Sequence, residues 1–285
     1  MTLKAQFWAA TRALPLWLRK PMAGGLGLMP LEPERRRRLV MLALADWAIA
    51  DDSAFHAFLW RNHLGYAQQY DLSTFDRMPR SRLLFFEEMV NALGALNRRR
   101  EEVRAVLEVG SSTGHNLRYL ETSVFRHAEI LHGIDLDAHA VREGARYLRD
   151  QGSRVQLRRG DVTELGRLLG GQRYDLVFSA GLLLYLNQQA AEVVVGEMVE
   201  HSSWLTAMSD LANPRRDNRM LGPSERRLWD RPAPPQDASP GTFWVYTHNV
   251  DAMLARLPGR IVARHFESEP PSPDETVYFV FFAPG

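Results

Sequence analysis

The stretch Val106-Leu107-Glu108-Val109-Gly110-Ser111-Ser112-Thr113-Gly114-His115-Asn116-Leu117 limits what this chain can fold into more than any other. A short apolar run enters a turn bracketed by two glycines, and a helical pattern carried by Leu117 and Leu120 follows at once. This is the pattern of a strand, a tight turn and a helix N-terminus, where backbone N–H groups and the positive end of the helix dipole converge. Gly110 and Gly114 let the backbone approach a ligand closely. Ser111, Ser112 and Thr113 add hydroxyls that cap the helix or donate to the ligand. A small cofactor with a carboxylate or phosphate suits such a turn.

Glycine turns of this kind also occur in α/β proteins that bind nothing, so the neighbouring segments decide. A second strand, Ile130 to Asp137, carries Asp135 near its carboxyl end. Ligands of open α/β sheets sit outside the carboxyl ends of the strands, and an acid placed there can accept both hydroxyls of a ribose. A third strand, Val155 to Arg158, leads into Gly160-Asp161-Val162, and a fourth, Tyr174 to Ser179, runs into Ala180-Gly181-Leu182-Leu183-Leu184-Tyr185-Leu186.

Together these residues resemble the class I S-adenosylmethionine-dependent methyltransferases. The first motif of that family, an acid followed by Gly-x-Gly-x-Gly, is matched by Glu108 through Gly114, with Ser112 in place of the middle glycine. Asp135 matches the acid closing strand two, and Gly160-Asp161 the pair after strand three. The resemblance covers about residues 101 to 285. Its local wording is most similar to methylases of surface sugars, such as the pseudaminic acid type. It implies an α/β, Rossmann-like, seven-stranded and mostly parallel sheet with a closing antiparallel hairpin. It also implies S-adenosylmethionine as cofactor: the glycine loop for the methionine end, Asp135 for the ribose, and Asp161 for the adenine amino group. The cofactor-binding set is then Glu108, Gly110, Ser111, Ser112, Thr113, Gly114, Asn116, Asp135, Leu136, Asp161, Val162 and Ser179. His115 and Asn116 at the helix start either touch the amino acid tail or cap the helix.

Composition narrows the alternatives. With 285 residues the chain can bury one α/β core and an accessory layer. A formal net charge of +1 points to no nucleic-acid partner. Lys4 and Lys20 are the only lysines, so the glycine loop is no P-loop, and the Tyr-x-x-x-Lys pair of short-chain dehydrogenases is absent. The absence of cysteine excludes disulfides, thiolate zinc and iron–sulfur clusters, and with them radical chemistry on the cofactor. A cytoplasmic location is the default expectation. No metal is expected, because the metal-dependent branch of the family carries an acid where Ala180-Gly181-Leu182 stands.

Residues 1–100 read as a helical cap or lid over the carboxyl end of the sheet. Phe7 to Lys20 mixes aromatic and basic residues, a pattern suited either to packing on a core or to weak contact of residues 7–20 with a membrane surface. Pro33 opens a helix through Leu39, Leu42, Ala43 and Trp47, with Arg35 to Arg38 in its first turns. Ser53 caps the next, which runs on through the aromatic segment Phe58 to Tyr70. A last helix begins at Ser81 and ends before Arg98-Arg99-Arg100. No internal repeat is visible.

After the fourth strand come a helix (Gln188 to Glu200), a fifth strand (Ser203 to Met208) and a proline-rich insertion over residues 211–241. Thr247 to Leu257 reads as helical, Arg260 to Phe266 and Thr276 to Phe282 as the closing strands. Residues 101–285 are thus the cofactor-binding domain.

Methyl transfer to a hydroxyl requires that the oxygen lose its proton, so a side chain of suitable pKa is expected nearby. The candidates are His63, Asp210, Tyr185 and His248, with His56 a further one. The expected activity is transfer to a small-molecule or glycan-linked acceptor, at oxygen. A second reading is a catalytically degenerate protein that binds the cofactor and serves as an interaction partner in a biosynthetic complex. A third is a nicotinamide oxidoreductase. The oligomeric state is left open.

Overall fold

The structure, a computed structural model, describes residues 11, 13–27, 39, 40, 43, 44, 47, 52–62, 77–212, 246, 248–266 and 276–285. Strands form where the apolar runs lie: β1 (Ala105–Val109), β2 (Ile130–Asp135), β3 (Val155–Arg159), β4 (Tyr174–Ala180), β5 (Ser202–Ala212), β6 (Gly259–Phe266) and β7 (Thr276–Pro284). They pair in one sheet in the order β3-β2-β1-β4-β5-β7-β6. All neighbours are parallel except the pairs made by β7, which runs antiparallel to β5 and β6. The strand order reverses beside β1, whose left neighbour is β2 and right neighbour β4, and ligands of open α/β sheets sit at the carboxyl ends beside such a reversal.

The helices are α1 (Leu16–Gly27), α2 (Asp52–Arg61), α3 (Arg80–Ala95), α4 (His115–Tyr119), α5 (Ala138–Asp150), α6 (Leu165–Leu169), α7 (Gln188–Glu200) and α8 (Val250–Leu254). Several are fixed by side-chain caps: Asp137 accepts from the amides of His139 and Ala140 before α5, Asn187 from Ala190 before α7, and Asn249 from Ala252 before α8. Helix α3 starts behind Pro79 and stops where Asn97 adopts a φ of 55°. There Arg98 N–H reaches back to the carbonyl of Leu93 at 2.9 Å, a C-terminal cap with asparagine where glycine is commoner.

Side chains alternate across the sheet, so two apolar layers form. Val106, Leu131, Leu176, Phe178, Phe279 and Phe281 share one core with Phe85, Phe86, Met89 and Leu93 of α3. Leu107, Val109, Val177, Val280 and Phe282 share the other with Val194, Val195 and Met198 of α7 and Leu254 of α8. Phe85 is completely buried and its ring lies 5.2 Å from that of Phe279, so truncating it to alanine costs about 3–5 kcal/mol. Helix α3, which sequence pattern groups with the N-terminal helices, therefore belongs by packing to the sheet.

The chain divides into two compact units, one made of residues 1–69 and 221–245, the other of residues 70–220 and 246–285. In the first, Val40, Ala43, Leu44, Trp47, Phe55 and Leu59 form a small core with Ala23 of α1. Lys20 Nζ lies 3.8 Å from the Trp47 ring centroid, and Arg19 donates to the carbonyl of Ala43. Trp17, in the segment expected to pack or to meet a membrane surface, is 71% exposed, whereas residues 7–10 lie outside the described residues. Among the described residues no helix is long and apolar enough to cross a membrane.

Candidate active site

The turn after β1 is welded to β2. Gly110 and Ser111 donate their amides to the carbonyl of Ile134 at 2.8 and 3.1 Å, and Ser112 donates its amide to Asp135 Oδ2 at 2.7 Å. These three amides thus point into the neighbouring strand, not toward an anion as the sequence suggested. Gly110 and Gly114 both sit at φ 81°. A Cβ on Gly110 would come within 3.0 Å of Leu182, and one on Gly114 within 2.9 Å of Leu148, so the left-handed backbone and the close packing both favour glycine. Ser112, where the family places its middle glycine, also has a positive φ, 48°.

Glu108 ends β1 and is 1% exposed. Its Oε1 accepts from Asn116 Nδ2 at 2.6 Å, while Oε2 is buried without a partner. Burial pushes its pKa up to about 8, opposed by the Asn116 hydrogen bond and the charge of Arg82 and assisted by Asp135. Arg82, in the first turn of α3, reaches Ala180 O at 3.5 Å through Nη2, and its Nη1 is buried without a partner. The hydroxyls of Ser111, Ser112, Thr113 and Ser179 are likewise buried and unpartnered. Buried polar atoms are nearly always satisfied, so such a group of exceptions at the carboxyl ends of adjacent strands β1 and β4 calls for a polar ligand.

Asp135 closes β2 with Oδ1 accepting from the amide of Asp137 at 2.8 Å and Oδ2 from that of Ser112. Burial outweighs these bonds and raises its pKa to about 6. A carboxylate has about four acceptor sites, so two amides leave room for hydroxyls. Leu136 beside it is partly exposed. Asp161 caps the short turn Val162–Glu164, accepting from the amide and hydroxyl of Thr163 at 3.1 and 2.7 Å, with Val162 buried beneath.

The acid–base candidates separate. Asp210, at the end of β5, accepts from three consecutive amides: Leu182 and Leu183 on Oδ2 at 3.0 and 2.7 Å, and Leu184 on Oδ1 at 3.1 Å. His248 is fully buried, with Nε2 3.0 Å from the carbonyls of both Leu183 and Leu186 and Nδ1 3.2 Å from Gln188 Oε1. Both meet the main chain of one turn. Tyr185 stands in that turn, partly exposed. His56 is buried in the first unit, and His63 lies outside the described residues. Among the described residues no three His, Asp or Glu side chains gather as metal ligands would.

A family model described as a methyltransferase domain matches residues 106–202, from the glycine loop to the start of β5. Residues 106–202 of the second unit thus match a methyltransferase domain. Solved structures of this methyltransferase fold align with the chain at low identity. The magnesium protoporphyrin IX methyltransferase of Synechocystis PCC 6803 with bound S-adenosylhomocysteine is 14% identical, with 72% of this chain and 83% of that one covered and a TM-score of 0.51. A candidate sarcosine dimethylglycine methyltransferase from Galdieria sulphuraria is 12% identical over 72% and 85% of the two chains, with a TM-score of 0.53. The N-terminal domain of EvdMO1, with S-adenosylhomocysteine bound, is 16% identical over 73% and 82%, with a TM-score of 0.51. No curated protein matches the chain by sequence.

Two residues beside the glycine loop escaped sequence reading. Arg82 is one arginine among many, in a helix whose docking onto the sheet depends on long-range packing. Gly144 of α5 is the other: a Cβ there would lie 2.3 Å from the carbonyl oxygen of Thr113, so only glycine lets α5 abut the loop.

Proposed function

We propose that the chain transfers the methyl group of S-adenosylmethionine to an oxygen of a small-molecule or glycan-linked acceptor. One observation carries the cofactor assignment: Glu108 Oε2 and Arg82 Nη1, a carboxyl and a guanidinium that are electrostatically coupled, are both buried without partners beside the glycine loop. A zwitterionic amino acid end fits that need, its carboxylate to Arg82 and its ammonium to Glu108, each as a charge-assisted bond. Asp135 then takes the ribose hydroxyls, one strand away. The sulfonium supplies an electrophilic methyl carbon, so the protein's task is chiefly to align the acceptor with it.

The preference for oxygen and for a sugar-like acceptor rests on the resemblance of the loop and the post-β4 wording to surface-sugar methylases. Of the proton-accepting candidates, Tyr185 stands in the turn that follows β4. The test is calorimetric titration with S-adenosylhomocysteine, followed by a methyl-transfer screen over sugar nucleotides, glycosides and small hydroxylated or amino acceptors. Micromolar binding with turnover on hydroxyl acceptors is expected. Turnover confined to amino acceptors would overturn the oxygen assignment, and no binding would overturn the cofactor.

A further inference from the structure

The turn between β4 and α7 is held from both sides of its peptide groups by side chains far away in sequence. Asp210, from β5, takes the amides of residues 182, 183 and 184, so a carboxylate fills a nest of three successive N–H groups. His248 takes the carbonyls of residues 183 and 186 from the other direction, and Tyr246 N–H takes that of Leu184 at 2.8 Å. The Tyr246 and His248 rings stack at 5.9 Å, and Gln188, in the first turn of α7, meets His248 Nδ1. Gly181, at φ 78°, enters the turn with its amide on Ser209 O at 2.8 Å.

This is more restraint than a surface turn needs, and it fixes two things. Leu182 presses its side chain against the α-carbon of Gly110, with three of its atoms within 3.3 Å of where a Cβ would stand. Tyr185 is the one residue of the turn with an ionisable side chain, carried on the same short 3-10 segment. We infer that Asp210 and His248 are positioning residues, which hold the turn Leu182–Leu186 as a preformed wall against the glycine loop. Cofactor affinity then depends on Asp210 through Leu182.

The inference rests on the cofactor assignment above, and the experiment separates the two. S-adenosylhomocysteine is titrated into the full-length wild type and into Asp210→Asn, Leu182→Ala and the double variant. Positioning predicts that each single change weakens binding about ten-fold or more. It also predicts that the double variant is no weaker than the worse single, because Leu182 is already misplaced once Asp210 is gone. Losses that multiply would overturn it, as would D210N with wild-type affinity but abolished methyl transfer, the signature of a proton acceptor. If D210N does not fold, His248 decides: H248A weakens binding, and H248Q, which keeps a donor for the two carbonyls, restores it to within about three-fold. Equal losses in the two His248 variants would overturn the inference. A wild type that binds nothing rejects the cofactor assignment itself, whatever the variants do.

Discussion

The amide of Ser112 lies 2.7 Å from Asp135 Oδ2, so the carboxylate expected to hold the ribose also fastens the glycine loop to the neighbouring strand. Losing it frees two amides, those of Ser112 and Asp137, and takes away the proposed ribose acceptor. Asp135→Ala should lower affinity for S-adenosylhomocysteine by one to two orders of magnitude, about 1–3 kcal/mol, in calorimetric titration. Unchanged affinity would end the cofactor assignment at this loop.

Ser112 occupies a left-handed conformation that costs an L-residue about 1 kcal/mol, and its amide, not its side chain, makes the bond to Asp135. Ser112→Gly should leave stability unchanged or raised by up to about 1 kcal/mol in denaturant unfolding, with cofactor affinity within a few-fold of wild type. A large loss of affinity would instead give the buried hydroxyl a direct role in binding.

The glycine loop, the acid of β2 and the closing hairpin were legible because each is written locally, in apolar runs, turn residues and spacing. Element lengths were less so. Strand β5 extends to Ala212, beyond the expected Met208, because β7 pairs with it antiparallel as far as Ala212 and Thr276. Helix α8 begins at Val250 and not Thr247, because His248 is drawn onto the post-β4 turn and Asn249 caps the helix behind it. The tasks of Asp210 and His248 were illegible for the same reason: the groups that engage them lie 26 to 65 residues away. An acid at the end of a strand looks the same in sequence whether it faces a cleft or a nest of amides.

Gly144 shows how a helix far from the glycine motif shapes it. A methyl at that position meets the backbone of Thr113 at 2.3 Å, a clash that no rotamer can relieve. Gly144→Ala should therefore destabilise the protein by about 1–3 kcal/mol despite alanine's better helix propensity, and should weaken cofactor binding as the loop is displaced. Thermal unfolding with and without S-adenosylhomocysteine checks both. A variant more stable than wild type would mean that α5 moves aside freely.

Glu108 couples stability, pH and binding in opposite directions. Its pKa stands near 8 in the fold against an ordinary 4.5, so the folded state keeps its proton where the unfolded chain has lost it. The stabilising contribution is fully present below about pH 4.5 and is lost as pH rises to 8, at about 1.4 kcal/mol per unit and a few kcal/mol in all. Asp135, raised to about 6, works in the same sense but is exhausted by that pH, and His132, lowered by burial, acts the other way near pH 6.5, so the difference between wild type and a Glu108 variant from pH 6 to 8 reports Glu108. Glu108→Gln keeps an acceptor for Asn116 and cannot ionise. In denaturant titrations the cofactor-free variant should therefore match wild type at pH 4 and exceed it by a few kcal/mol at pH 8. Binding should move the other way. An ammonium arriving at Glu108 favours its ionised form, so wild-type affinity for S-adenosylhomocysteine rises from pH 6 to 8 with release of a proton, whereas E108Q binds weakly at both. Calorimetry in buffers of different ionisation enthalpy measures that proton directly, and a release of zero at pH 7 would remove Glu108 from the binding step.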